Sequence, residues 1–528
     1  MARVNAKQDT GTILYEDDHI LVANKPNGIA THSPESGQTA FVEQLSQQKG
    51  FKLGVHQRLD AETSGVIAFS KTPQGAQRLS KAFELRTVKK CYRALVVGIP
   101  PEMSAEMSHR LTYKNGLTQV DEQGKLCKSR YRVIKSFGPF ALIELDLLTG
   151  MTHQLRVQCA LSGFPILGDK LYGGGDQPPR LYLHAYKLRL TSEPNLPTFE
   201  APAPDLLARP SLQGILNAIL NNIGSQFEGI PDSEAIRLSS PQHSGIPELI
   251  FEKIAQTLLI RHLEPAEKSL WDVPSLHTLV HAAQKTFGCD SFVYRVHENP
   301  GKVHPCRKFQ KEFACDVEPL TATEHGIVYR FDLSGNAVGL YLDQRENRAW
   351  VMQHAHGSVL NLFAYTCAFS LCAAKCKEVA STTSIDAASA ALRRGRENFE
   401  LNQIPLEGHR FITEDVFKYL NRCDQNSTHF ETIICDPPSF GRFGKIVFSL
   451  EKDLESLLLA CLMVLAPGGT LLFSVNHRKI RLAHLRKAFD GACARLHIKP
   501  RQIEIFVNDD ALGPLGVGTD LKTLRAYF

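Results

Sequence analysis

Over residues 1–193 the apolar positions fall in short runs rich in β-branched and aromatic residues, broken by turn residues. This pattern predicts strands at Ile13–Tyr15, Ile20–Ala23, Gly65–Phe69, Tyr92–Val97, Ala141–Leu147 and Tyr182–Leu190, with one helix over Gln74–Phe83. The expected unit is α+β with a mixed sheet. Pro194, Pro197, Pro202, Pro204 and Pro210 then predict a linker over 194–210. Residues 211–290 read as a helical connecting region, and 291–345 as a small β-rich subdomain with a hairpin across Gly326–Leu333 and Val338–Leu342. From residue 346 strand and helix patterns alternate. Strands are expected at Ser358–Phe363, Ser381–Ile385, His409–Ile412, Thr432–Cys435 and Thr470–Ser474, and helices at Phe369–Lys377, Ala387–Leu401 and Leu454–Leu465. Such alternation predicts a doubly wound, mostly parallel Rossmann-like α/β domain over 346–528, so the chain reads as multidomain, without internal repeats.

Composition narrows the class. Of the 528 residues, 43% are hydrophobic and 22% charged, as in folded globular proteins. The longest apolar run, Leu457 to Ala466, is ten residues, against about 20 for a bilayer-spanning helix. Met1 to Lys7 has no apolar stretch, and the 13 cysteines follow no staple pattern, so a cytoplasmic protein with reduced thiols is expected. Residues 1–200 carry 25 Lys and Arg against 19 Asp and Glu, or +6, while 201–528 carry 35 against 36, or −1. A basic first part suits a polyanionic partner. The excess is densest from Arg78 to Arg93 and from Lys125 to Lys135.

The segment Gln57-Arg58-Leu59-Asp60 leads through Thr63-Ser64-Gly65 into an apolar strand, so Asp60 is held at a turn beside an arginine. Thr152-His153-Gln154-Leu155-Arg156 ends another strand and opens a helix, from which Arg156 can pair with Asp60 and keep it ionised. At these residues the chain resembles the RluA family of RNA pseudouridine synthases. The resemblance covers about 12–192 and includes Lys25-Pro26-Asn27-Gly28, Lys90-Cys91-Tyr92-Arg93-Ala94, Gly168-Asp169-Lys170-Leu171-Tyr172-Gly173 and Leu183-His184-Ala185. It implies that Asp60 is the catalytic aspartate, that Tyr92 packs on the target base and that Arg156 holds the aspartate. It also implies that Arg58, Lys25 and His153 meet the RNA. The family turns uridine into pseudouridine without cofactor or metal. Three positions depart from its pattern: Gln57 for His, with His56 shifted by one; Met151 for Arg; and Gln158 for a common His. These bear on substrate handling more than on chemistry.

In the second half, Asn361-Leu362-Phe363-Ala364-Tyr365-Thr366 is a strand, a tight turn and a helix start, which offers backbone N–H groups to a ligand. Asp386, Glu414-Asp415 and Asp436-Pro437-Pro438-Ser439-Phe440 end the following strands. Each aspartate alone suits a helix N-cap, but together they suggest a nucleotide crevice. This half resembles class I S-adenosylmethionine-dependent methyltransferases, in particular the ribosomal RNA enzymes RlmI and RlmK. The resemblance implies that Asn361, Phe363, Ala364, Tyr365, Asp386, Asp415 and Asp436 surround S-adenosylmethionine, with Asp343 and Arg345 nearby. Cys367 and Ala368 replace a usual Gly-Gly and are expected to crowd the methionine end of the cofactor. Phe473-Ser474-Val475-Asn476 lacks the cysteine that carbon-5 methylation of cytosine needs, and resembles the guanine N7 pattern. Cys367, Cys372, Cys376, His304 and Cys306 lack paired metal-site spacing, so no metal is expected.

The sequence therefore reads as a bifunctional RNA-modifying enzyme acting on large-subunit ribosomal RNA. Two rivals stay open: one half is only an RNA-docking module, the methyltransferase being the likelier silent half, or the methyltransferase acts on a non-RNA substrate.

Overall fold

The computed structural model describes residues 12–32, 40–227, 234–263, 269–296, 319–333, 338–443, 446–477, 479–507 and 521–528. Met1 to Lys7, His304, Cys306 and Arg478 lie outside the described residues. Two compact units form. The first comprises 1–225, 241–249 and 264–286, and the second 226–240, 250–263 and 287–528.

The first unit is built on an 11-stranded sheet. Its strands are β1 (Thr12–Glu16), β2 (Ile20–Lys25), β3 (Gly54–Val55), β4 (Ser64–Ser70), β5 (Val88–Val97), β6 (Ser104–Lys114), β7 (Leu117–Val120), β8 (Lys125–Phe137), β9 (Phe140–Leu147), β10 (Leu183–Leu190) and β11 (Phe199–Glu200). The order is β1-β2-β4-β10-β5-β9-β8-β6-β7, with β3 on β4 and β11 on β10. β4 and β10 run parallel and their neighbours antiparallel, so the sheet is mixed. At the parallel step Gly65 (φ +120°) lies so close to Ala185 that a Cβ would stand 2.2 Å from its carbonyl oxygen. One face buries a core that includes Leu21, Ile67, Phe69, Leu79, Ile143 and Phe164.

The second unit carries a seven-stranded sheet in the order β20-β19-β18-β21-β24-β26-β25. These are β18 (Gly357–Leu362), β19 (Val379–Asp386), β20 (His409–Thr413), β21 (Phe430–Cys435), β24 (Leu465–Asn476), β25 (Gln502–Val507) and β26 (Leu521–Tyr527), while β22 (Phe440–Phe443) and β23 (Ile446–Ser449) pair as a separate hairpin. The first five of that order run parallel, β26 runs antiparallel to β24, and β25 pairs antiparallel with β26. Parallel strands covered on both faces read as continuous apolar runs, and Leu360, Ile433 and Leu471 are fully buried here. One core cluster gathers helices Val416–Gln425, Leu450–Met463 and Leu482–Leu496, and another gathers Arg345–His354, Ala368–Ala374 and Ser389–Leu401. The apolar run at 457–466 is shared between the end of a helix and the start of β24, and among the described residues no helix is long and apolar enough to cross a membrane.

Three stretches differ from the sequence expectation. The segment 194–210 packs onto the first unit instead of linking: Phe199 pairs with Leu188, and Ala201 and Leu207 are fully buried. A two-residue strand at a sheet edge tolerates the neighbouring prolines. The stretch 211–290 is not simply helical. Between helices Leu212–Gln226 and Val273–Phe287 it holds β12 (Ala235–Ser239), β13 (Leu249–Ile254) and β14 (Thr257–His262), which join β15 (Ser291–Val296) in a four-stranded sheet. Its tight turn uses Ala255 at φ +51°, a residue that gives no turn signal. The expected hairpin is shifted: β16 (Leu320–Glu324) pairs with β17 (Ile327–Phe331) around His325 (φ +52°) and Gly326 (φ +72°), the two positive φ values that a type I′ turn needs. Val338–Leu342 forms no strand, and Leu342–Gln344 is a 3-10 turn.

Candidate active sites

In the first unit a cavity of about 640 Å³ is lined by Arg58, Asp60, Lys90, Tyr92, Met151, His153 and Arg156 among others. Asp60 sits on a turn closed by the Thr63 N–H on the Asp60 carbonyl, 3.0 Å. The preceding loop clamps that turn. Thr31 Oγ1 donates to the Leu59 carbonyl, the Gly28 N–H donates to the Ala61 carbonyl, and Asn27 donates to the Glu62 carbonyl. Lys25 belongs to this clamp and not to an RNA surface. It is fully buried, and its Nζ donates to the carbonyls of Pro26, Ile29 and Ala61 at 2.9, 2.7 and 3.1 Å. Burial pulls its pKa down to about 7, against the field of Asp60. Buried lysines are rare, which is why a lysine before Pro-x-Gly reads as a surface group.

Arg156 is 3.5 Å from Asp60, but its tight pair is another residue. Its Nε and Nη2 donate to both oxygens of the fully buried Asp169 at 2.8 Å each. Asp169 also accepts the N–H groups of Leu171 and Tyr172. The bidentate pair fixes the guanidinium, and its remaining nitrogen faces Asp60. Burial opposes the charge of Arg156, yet Asp169, Asp60 and Glu62 together raise its pKa. Asp169 lies inside the quoted Gly168-to-Gly173 motif, but its spacing from Arg156 carries no sequence signal. His153 starts its helix at φ +55°, with Nε2 3.9 Å from Asp60 and Nδ1 3.1 Å from the Tyr172 hydroxyl. Burial, helped by Arg156, outweighs Asp60 and lowers its pKa, so the ring is neutral at pH 7. Tyr92 is buried in the wall and Arg58 is exposed at the rim. Burial raises the Tyr92 pKa, as does the charge of Asp60, so its hydroxyl keeps its proton.

Of the three departures, Met151 and Gln57 line the cavity, while Gln158 does not. Gln158 is fully buried, accepts from Ser129 and Gln154 and donates to the carbonyls of Met107 and Cys127, a structural role. His56 is held between Ser70 and Ser80. The basic runs are partly neutralised. Arg78 pairs with Glu193, Arg93 and Arg132 with Glu144, and Lys128 and Arg130 with Glu106. The run from Lys125 is the long strand β8, whose outward residues alternate with a buried row of Cys127, Ser129, Tyr131 and Val133.

In the second unit a cavity of about 520 Å³ opens at the carboxyl ends of β18, β19 and β21, where the strand order reverses. Phe363, Ala364, Tyr365, Asp386, Asp415 and Asp436 line it. Asn361 does not. It is buried behind the turn and donates to Ser370 Oγ, which is linked to Ser384. Asp343 lines the cavity and accepts from Asn476, whereas Arg345 lies outside the lining, 4.0 Å from Glu324. The turn after β18 places three non-glycine residues in the left-handed region: Phe363 (φ +57°), Tyr365 (φ +48°) and Cys367 (φ +58°). Strain of this kind marks ligand turns.

Asp386 accepts the N–H groups of Tyr365 and Ala388, both at 2.8 Å, with a lone pair left on each oxygen. Asp415 caps its helix through the Lys418 N–H, so here the N-cap and the cavity wall are one residue. Asp436 accepts from Ser474 Oγ and Gln344 Nε2, both at 2.7 Å, and burial, reinforced by Asp343, raises its pKa to about 6. Cys367 does not crowd the cavity. Its Sγ is directed at Gly395, where an added Cβ would stand 2.4 Å away, and only Ala368 of the pair lines the wall. Among the described residues no cysteine lines this cavity, and no group of three metal-ligating side chains is assembled.

The lining suits S-adenosylmethionine. Asp343, Asp386, Glu414, Asp415 and Asp436 face a space whose one cation among the described residues, Arg348, is already paired with Glu324. Asp343 Oδ1 is buried and has no hydrogen-bond partner among the described residues. An acidic wall with an unused acceptor fits a sulfonium and an ammonium, and the Phe363 and Phe448 rings, 5.7 Å apart, offer apolar surface to an adenine.

The chain carries two domains, a pseudouridine synthase domain and a Rossmann-like S-adenosylmethionine-dependent methyltransferase domain. The RNA pseudouridylate synthase family model matches residues 19–161, and the S-adenosylmethionine-dependent methyltransferase model matches 306–510. The RNA pseudouridine synthase YhcT of Bacillus subtilis is 36% identical over 214 residues, covering 36% of this chain and 68% of that protein. The chain belongs to the RNA pseudouridine synthase family. The ribosomal large subunit pseudouridine synthase C of Vibrio vulnificus is 34% identical over 205 residues, covering 36% of this chain and 65% of its own length. For the second half, YwbD of Bacillus subtilis, named as a ribosomal RNA large subunit methyltransferase, is 34% identical over 212 residues, covering 40% of this chain and 51% of its own. The chain thus spans about two thirds of those synthases and half of that methyltransferase. The crystal structure of SMU.776, assigned as a methyltransferase and solved with SAH, superposes with a TM-score of 0.50 at 22% identity, covering 60% of this chain and 82% of that one.

Proposed function

We propose that the chain modifies large-subunit ribosomal RNA in the cytoplasm at two positions, isomerising a uridine in the first cavity and methylating a base in the second. For the synthase, the supporting observation is the Asp60 turn: a carboxylate clamped by backbone hydrogen bonds and faced by a guanidinium that Asp169 holds in place. Asp60 acts as the nucleophile or base, Arg156 favours its charged form, and Tyr92 packs on the uracil after the nucleotide leaves the stack. Arg58 at the rim and His153 beside Asp60 meet the RNA.

Bound S-adenosylmethionine supplies an electrophilic methyl group. Asp386 accepts the ribose hydroxyls, and the turn Phe363-Ala364-Tyr365 holds the cofactor. Asp436 and Asp343 hold polar N–H groups at the reacting end. A lining that holds no thiol among the described residues favours guanine N7, a nitrogen that needs positioning rather than covalent activation. The Sγ of Cys367, directed at Gly395 and not into the cavity, supports an active methyltransferase half, with Ala368 alone of the pair at the wall.

The test is mass spectrometry of ribosomal RNA from a deletion strain carrying variants. Asp60→Asn should lose one pseudouridine and keep one methylated base, and Asp386→Ala the reverse. Pseudouridine above a tenth of wild type with Asp60→Asn would refute the first assignment, and unchanged methylation with Asp386→Ala the second.

A further inference from the structure

Lys90 is a cation in the synthase cavity that no carboxylate among the described residues neutralises. Side chains alternate along β5, so Lys90 shares the cavity face with Tyr92, while Arg93 on the other face pairs with Glu144. Lys90 lines the cavity and its Nζ lies 4.9 Å from the Phe83 ring centroid. Among the described residues its ammonium has no hydrogen-bond or ion-pair partner, in contrast to Arg78, Arg93, Lys128, Arg132 and Lys187, each of which holds a carboxylate. Burial alone lowers its pKa, to about 8, so it is mostly charged at pH 7. Tyr92, two residues along, does feel Asp60. A desolvated ammonium without an anion is costly, and the cost is recovered when a ligand brings one. Gln57 adds a buried Nε2 in the same cavity that also lacks a partner. Both groups seek an acceptor, and Lys90 seeks a charged one.

We propose that Lys90 binds a phosphodiester of the nucleotide next to the target uridine and so positions the base over Tyr92 and Asp60. The inference rests on the synthase reading above. Lys90 forms no ion pair with Asp60, and on this proposal it is a binding residue that takes no part in the bond-making step.

The experiment uses the full chain and an unmodified large-subunit ribosomal RNA transcript, with pseudouridine formation followed against salt. Lys90→Met keeps the stem on Phe83 and should raise KM about tenfold while kcat changes less than twofold. The slope of log(kcat/KM) against log[salt] should fall by about 0.7, one phosphate on single-stranded RNA. Lys90→Arg should restore both. If Lys90→Met does not fold, Lys90→Gln carries the same expectations. A raised KM with an unchanged salt slope would mean a contact to an uncharged acceptor, and a lowered kcat with unchanged KM would mean a role in the chemistry. Either result, or wild-type kinetics, overturns the proposal. An inactive wild type instead overturns the synthase reading.

Discussion

A carboxylate buried among neutral donors changes how pH acts on the fold around it. The Asp436 pKa is raised from 3.8 to about 6, with burial as the main cause. Between those values the native state binds more protons than the unfolded one, so stability falls as pH rises through this window and is flat above it. A shift of about two units corresponds to about 3 kcal/mol at pH 7. Asparagine keeps an oxygen for Ser474 and Gln344 and carries no charge. Asp436→Asn should therefore melt higher than wild type at pH 7 without cofactor, with the advantage gone near pH 4, as thermal unfolding of the full chain from pH 4 to 7.5 will show. An advantage that persists at pH 4 would mean that packing, not charge, is responsible. At this scale the sequence was only half legible. Asp60, Tyr92 and Arg156 announce themselves because they sit in short contiguous motifs. Asp169, Gln344 and Ser474 do not, because their partners come from other elements, and Lys25 and Asn361 mislead because local sequence does not report burial.

The turn between β18 and the helix Ala368–Ala374 depends on a helix that follows it in sequence. Cys367 occupies a left-handed position and its Sγ fills the space beside Gly395 in the helix Ser389–Leu401. Two effects compete in Gly395→Ala. Alanine gains about 1 kcal/mol of helix propensity over glycine, and overpacking costs about 1–3 kcal/mol. With a Cβ at 2.4 Å from Sγ and 2.9 Å from Cys367 Cβ, the cost should win. Gly395→Ala should weaken S-adenosylmethionine binding and lower stability by about 1–2 kcal/mol, and Cys367→Gly in the same chain should recover both. Calorimetry on the four proteins of this cycle reads the coupling, and additive effects would show that the two residues do not compete. The strand and helix rhythm of this half was legible because parallel strands covered on both faces are apolar runs. The long strands β6 and β8 were not, because their outward faces carry ion pairs that read as a basic surface run.

Across the whole molecule, the split of charge at residue 200 says less than the path of the chain. In the first 200 residues Arg78, Arg93, Lys128 and Arg132 are paired with Glu193, Glu144 and Glu106, carboxylates that the net +6 already counts, so the basic runs there are not uniform cationic patches. The path, in contrast, interleaves the two units: 241–249 and 264–286 belong to the first, while 226–240 and 250–263 belong to the second. No single cut separates them. A fragment of residues 1–227 keeps all 11 strands of its sheet and the core from Ile20 to Ala201, and should fold. A fragment of 228–528 carries 241–249 and 264–286 without the unit to which they belong. Trp271 reports on this. It is buried, its Nε1 donates to the Pro247 carbonyl at 2.9 Å, and the other of the two tryptophans, Trp350, belongs to the second unit. With Trp350→Phe in place, Trp271 emission should move to longer wavelength in the 228–528 fragment than in the full chain, and return when the 1–227 fragment is coexpressed. Emission that stays at the full-chain position in the isolated fragment would show that 241–286 folds with the methyltransferase domain alone, and that a cut near 227 divides the protein cleanly.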